Sequence, residues 1–177
     1  ADFGAAGYGL RWQPLAAANV GAPHRRKRVF VLATRGNKGE TQNAPAPAIN
    51  LENTWPSPAA RDWRSGSGTG VERGHTPQLP EVVGGALNPE WVELLMGLSS
   101  GWSCASGEAM SWPGAHSWPV GRGVAQPDSE PVRLVPARSV PDRALRLRSI
   151  GNGVVPQQAM AALALLMEGP RQGSLFT

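Results

Sequence analysis

Thiol is nearly absent from this chain: Cys104 is the one cysteine in 177 residues. A single cysteine excludes an intrachain disulfide, and with three histidines beside it the ligands for a zinc site are too few. Long apolar runs are absent as well. None approaches the roughly 18 residues of a membrane span, so no membrane partner is expected. The opening residues, ADFGAAGYG, lack the basic start and apolar stretch of a secretory signal, and a reducing cytoplasm is the expected setting. Lysine is scarce, with only Lys27 and Lys38, so nearly all the positive charge is arginine. The balance of 17 basic against 13 acidic residues gives a net charge of +4 and a pI near 10.2. A basic balance fits a polyanionic partner, of which nucleic acid is the commonest. An Ala-, Gly-, Pro- and Arg-rich composition would give the same excess in an ordinary soluble protein, so charge alone does not decide.

What is present is concentrated in GAPHRRKRVFVLA, Gly21 to Ala33. Four basic side chains, Arg25, Arg26, Lys27 and Arg28, precede a continuous apolar run. Such a run predicts a strand buried on both faces, as in parallel sheets. The arginines at its mouth would then sit on a rigid element, suited to bidentate capture of phosphate oxygens or a base edge. The plainer alternative is a solvated basic turn before an ordinary strand.

The chain divides into five pieces. Residues 1–34 read as the end of an α/β unit, with a strand near Leu10 to Leu15, a short helical AAANV and the Val29 to Ala33 strand. Residues 35–86 are rich in Gly, Pro, Ser, Asn and Thr and read as loops. Residues 87–102 hold a short helix from Asn88 to Gly97: Asn88 suits the N-cap, Pro89 the first turn and Gly97 the position after the end. Trp91, Leu94 and Leu95 fall on one face of it. Residues 103–140 read as a variable, loop-rich and partly disordered insert. Residues 141–177 carry a last helix from about Pro156 to Glu168, with Met160, Leu163 and Met167 as an apolar stripe, ended by Gly169-Pro170.

The Gly21–Ala33 segment resembles a motif block of the cytosine-5 DNA methyltransferases, in which a Gly-x-Pro turn and Gln-x-Arg-x-Arg lead into a strand. Gly21 and Pro23 match the turn, Arg26 and Arg28 match the two arginines, and His24 stands where the family usually has glutamine. The lead-in GYGLRWQPLAAANVGAP is also similar. Asn88 to Trp102 resembles the block usually ending Gly-Phe-Pro-x-x-Trp, without its Phe-Pro. Arg146 to Leu166 resembles the last block, built on Gly-Asn-x-Val-Val-Pro. Three blocks occur in the family's order over most of the chain.

The resemblance implies an α/β fold: the C-terminal part of an S-adenosylmethionine-dependent, Rossmann-like methyltransferase with a small loop-rich target-recognition region at 35–86. It implies transfer of a methyl group from S-adenosylmethionine to C5 of cytosine in double-stranded DNA. A cysteine thiolate adds to C6 of a base that has first left the duplex. Arg26 and Arg28 would hold that base and nearby backbone phosphate, with Arg25 and Lys27 beside them. Arg61, Asp62, Arg64, Ser65, Ser67, Thr69, Arg73, His75 and Gln78 would be available to read the target. Trp55 and Trp63 could stack on bases, although burial suits a tryptophan better. Gly151, Asn152 and Gly153 would form a tight turn beside the cofactor; by themselves they read as a plain turn next to a helix.

Three family parts are missing from the sequence: the Pro-Cys-Gln nucleophile turn, the Glu-Asn-Val block and the glycine-rich cofactor turn. Cys104, in GWSCASG, follows a serine and is an incidental thiol. Glu52-Asn53-Thr54 lies after the arginine block rather than before it. Asp2 to Gly7 lies too close to that block to leave room for the intervening parts. The expectation is a C-terminal fragment or split subunit with no catalytic residue of its own, inactive alone and completed by an N-terminal catalytic half. The alternative is a non-catalytic DNA-binding remnant.

Overall fold

The computed structural model describes residues 3–36, 40–42, 52–64, 76–104 and 118–168. Strand β1, Tyr8–Ala16, is the middle of a three-stranded sheet. On one side it pairs antiparallel with β2, Lys27–Arg35; on the other it pairs parallel with the short β3, Glu40–Gln42. A 3-10 turn, Ala17–Val20, ends β1, and Gly21 stops that turn at φ 93°, a left-handed conformation that glycine adopts without steric cost.

The register decides what the apolar run of β2 does. Gln13 lies opposite Phe30, and Arg11 opposite Leu32. Side chains alternate along a strand, so these four share one face. Gln13 is buried, Phe30 and Leu32 are half-buried, and the last helix packs against both strands. Val29 and Val31, opposite Pro14 and Trp12, lie on the other face and remain 63% and 58% exposed. The expectation of a strand buried on both faces of a parallel sheet is therefore corrected. The Val29 to Ala33 run is an antiparallel strand with one bare apolar face, because nothing among the described residues covers it.

Four helices complete the described structure: α1, Leu79–Val83; α2, Pro89–Leu95; α3, Arg143–Asn152; and α4, Pro156–Glu168. Helix α2 has the expected punctuation. Asn88 Oδ1 accepts from the Glu90 N–H at 3.1 Å, Pro89 opens the helix, and Gly97 follows it at φ 70°. Trp91 and Leu95 are buried in the core, with Leu94 at its margin. Helix α4 has the expected bounds, but Met160, Leu163 and Met167 are exposed, and Ala162 and Leu166 are its buried apolar residues. Residues 169 and 170, the expected stop, lie outside the described residues.

Helices α1 and α3 were not expected. Helix α1 lies within the span read as loops; the Glu81 carboxylate accepts from the Gln78 N–H at 2.7 Å and closes its first turn. Helix α3 takes in Gly151 and Asn152 as its last two residues, so the expected tight turn is instead a helix end, with Gly153 extended at φ −67°, ψ 177°. Residues 143–167 together are long and apolar enough to cross a membrane by length and composition. The helix nevertheless breaks at Gly153–Val155, carries Arg143, Arg146 and Arg148, and buries Leu147, Ile150, Ala162 and Leu166 in the core.

The core is formed by Leu79, Leu87, Trp91, Val92, Leu95, Met96, Leu147, Ile150 and Val155, with Trp55 against its edge. Within it, Glu93 is fully buried and pairs with Arg146 at 3.0 Å. Its carboxylate also accepts from the N–H groups of Gly101 and Ser103, so the loop after α2 is tied down by a satisfied buried charge. Of the insert expected at 103–140 to be loop-rich and partly disordered, residues 105–117 lie outside the described residues and 118–140 is loop. The 118–140 segment has no regular structure, yet it is bound at many points. Asn88 N–H donates to Arg133 O, Trp91 Nε1 donates to Glu130 Oε1, and Arg133 stacks 4.9 Å over Trp55.

Candidate functional site

Arg26 joins four segments. It is 4% exposed. Nη1 donates to Pro58 O at 2.6 Å, and Nη2 donates to Gly151 O at 3.0 Å and to Gly153 O. Its own N–H donates to Ser57 Oγ, and its carbonyl accepts from Gln158 Nε2 of α4, which also reaches Leu15 O. Burial, and then the neighbouring Arg28 charge, lower its pKa to about 10, so it remains a cation at neutral pH. The two motif arginines thus have unlike places. Arg26 is an internal brace: its Nη1 is held by Pro58 O and its Nη2 by two carbonyls at the end of α3, where exposed partial negative charge favours a cation. Arg28 is exposed, with Nη1 on the carbonyl of Lys27.

Fixing Arg26 fixes its neighbours. Arg25, Lys27 and Arg28 are exposed, and with Arg26 they line a cavity of about 410 Å³ whose other wall is Ser57 to Ala60 and Gly151. Gly151 has no room for a side chain: a Cβ there would lie 2.2 Å from the carbonyl carbon of Ala59 and 2.3 Å from the nitrogen of Ala60. Its glycine identity follows from this backbone contact. The fit to a cofactor is correspondingly narrow. Arg26 occupies the Gly151 and Gly153 carbonyls, Gly151 faces residues 59–60, and only Asn152 presents a side chain outward. These three residues do not by themselves make a cradle for S-adenosylmethionine.

A second cavity, of about 530 Å³, adjoins the first, since Arg25, Ser57 and Ala59 line both. Arg61 lines its rim, while Asp62 is buried beneath, accepting from the Ala59 N–H at 2.7 Å. Arg64 is exposed but stacks over Trp63 at 5.3 Å; Arg148 approaches the same ring at 4.8 Å. Trp55 is buried edge-on to Trp91, with Nε1 on Val120 O, so it is not a stacking platform for bases. Ser65, Ser67, Thr69, Arg73 and His75 lie outside the described residues. Cys104 is exposed and lines neither cavity.

His24 and Asp62, both named from the sequence, prove to be buried, which the sequence did not indicate. His24 is fully buried, with Nε2 2.8 Å from Leu95 O. Burial lowers its pKa to about 4; the Leu95 carbonyl pulls it up and Arg26 pushes it down. Burial raises Asp62 to about 6, opposed by the Ala59 N–H and the nearby arginines. Their effects on stability have opposite signs. Between pH 6.5 and 4 the unfolded chain protonates His24 and the folded chain does not, so acid costs on the order of 3 kcal/mol. Between pH 6 and 3.8 the folded chain protonates Asp62 first, so acid favours folding by a similar amount. His24→Gln retains an amide donor for Leu95 and should therefore gain stability, relative to the parent, as pH falls from 6.5 to 4. Asp62→Asn should lose it. Urea midpoints at pH 7.5, 6 and 4.5 measure both; parallel profiles for the two variants would refute the assignment.

No curated protein and no solved structure shows a significant match to the chain. Residues 1–74, which contain β1, β2, the arginine block and most of the lining of both cavities, match the family model of the C-5 cytosine-specific DNA methylases. That match covers less than half of the chain, and it is residues 1–74 that are similar to the C-5 cytosine-specific DNA methylase family.

Proposed function

We propose that the chain is the DNA-holding part of a DNA (cytosine-5-)-methyltransferase, the C-terminal part of a Rossmann-like catalytic domain. The nucleophilic cysteine and most of the S-adenosylmethionine site would come from an N-terminal half. The observation that carries this is the arginine block. One buried guanidinium, Arg26, sets Arg25, Lys27 and Arg28 around a cavity beside the last motif block. S-adenosylmethionine, which the family uses as methyl donor, would supply the transferred group. This chain's residues bind and orient. Arg28 is the exposed guanidinium able to donate to O2 of an extruded cytosine while staying charged. Arg25, Lys27, Arg61 and Arg64 neutralise backbone phosphates. Asn152 is the side chain left facing outward for the cofactor.

No cysteine here follows a proline, and Cys104 lines neither cavity. The purified chain should accordingly transfer no methyl group from labelled S-adenosylmethionine to duplex DNA, yet bind that DNA. The log of the binding constant should fall by about 0.9 per phosphate neutralised against log salt. Arg28→Ala should weaken binding more for a duplex with an unpaired target cytosine than for a perfect one. Affinity that is flat between low and physiological salt would remove the DNA-holding role. Methyl incorporation by the chain alone would make Cys104 the nucleophile. The second reading, a non-catalytic remnant, is supported if the coding sequence upstream of Ala1 has no Pro-Cys-Gln block in frame or in a neighbouring frame. The cytoplasmic setting belongs to the same proposal.

A further inference from the structure

We propose that Arg122, in the segment whose sequence suggests a mere insert, is a DNA-backbone contact that extends the arginine block into one continuous trough. The proposal rests on the DNA-holding reading above.

Arg122 lines the 530 Å³ cavity together with Arg25 and Arg61, so three arginines from three distant segments meet there. All three are exposed, and none makes an ion pair among the described residues. Asp62, the acid of this cavity, is buried beneath it and sits close enough to Arg61 for the charges to interact. The rest of the lining is neutral: Thr54, Ser57, Thr76 and Gln78 offer hydrogen bonds, and Pro56 and Val82 are apolar.

The position of Arg122 is built into the fold. Its N–H donates to Asn53 O at 2.6 Å, and Trp55 Nε1 holds Val120 O at 2.9 Å. Gly121 lies so close that a Cβ would be 2.9 Å from Asn53 O. Asn53 itself adopts φ 59°, an uncommon value outside glycine. One backbone hydrogen bond, one from the Trp55 indole and a glycine contact therefore fix this strap against residues 53–55. An untethered surface arginine needs no such anchoring. Because the two cavities share Arg25, Ser57 and Ala59, Arg122 and Arg61 continue the line of Arg25, Lys27 and Arg28. A row of exposed cations with a polar floor fits successive phosphates of a nucleic-acid strand.

The test is duplex binding by the full chain across a salt series. Arg122→Ala should weaken binding roughly three- to tenfold, equally for all sequences, and reduce the slope of log K against log salt by about 0.9. Arg122→Lys should restore most of the slope. Arg138→Ala, at an exposed position lining neither cavity, should leave it unchanged. The thermal melt of Arg122→Ala should match the parent, since only the backbone of Arg122 is stapled. A parent that binds while Arg122→Ala keeps the full slope would overturn this inference alone. A parent that does not bind would overturn it together with the reading it rests on.

Discussion

Replacing Arg26 by alanine should cost the fold about 3–5 kcal/mol, a large share of the roughly 5–15 kcal/mol a domain possesses. Three backbone carbonyls, of Pro58, Gly151 and Gly153, lose their donor, and water cannot readily replace it in a site 4% exposed. Arg26→Lys should recover less than half of the loss, because a single ammonium cannot span carbonyls on two segments as a planar fork does. Arg28→Ala removes an exposed side chain and should change stability by less than about 0.5 kcal/mol. Urea unfolding of the three variants measures this. Equal, small shifts for Arg26→Ala and Arg28→Ala would show that the brace has been misassigned.

Completion in trans should have the largest effect on activity. The face of β2 that carries Val29 and Val31, and the exposed Met160, Leu163 and Met167 of α4, are apolar surfaces without cover among the described residues. Such surfaces favour association and aggregation. Co-expression with a family N-terminal half carrying the Pro-Cys-Gln and cofactor turns should increase solubility and turn undetectable methyl transfer into measurable turnover. In that complex Arg28→Ala should lower turnover by at least about tenfold, the loss of one charged hydrogen bond to the base. Cys104→Ser should leave turnover unchanged. A complex that methylates DNA and is silenced by Cys104→Ser alone would reverse the assignment of the nucleophile.

The legible parts of the sequence were those governed by local rules. The Asn88-Pro89 start and Gly97 stop of α2 depend on capping chemistry, and the bounds of α4 on a proline opening an apolar stretch. Helix α3 was illegible because its inward positions include arginines. Arg143 and Arg146 are buried, while Leu145 is 61% exposed, so no apolar stripe marks the helix. Their partners are Leu87 O, Trp63 O, Glu93 and Ser103, none of them near in sequence. The order of 118–140 was hidden for the same reason: isolated long-range hydrogen bonds leave no period. In the arginine block the motif located both arginines but could not distinguish brace from free donor. That difference depends on where residues 58, 151 and 153 fold.

On the proposed reading, in which residues 35–86 choose the target, the missing clearance at Gly151 constrains how specificity could be exchanged. Residues 59–60 rest directly on the end of α3, and Arg26 clasps Pro58 from the other side. A recombinant that swapped the whole of 35–86 for a foreign cassette would have to rebuild this seat atom by atom. Productive crossovers should leave 52–64 with the parent and replace only sequence beyond Arg64. Specificity would then evolve by grafting onto a retained foot, with the arginine block keeping its grip whatever sequence is being read.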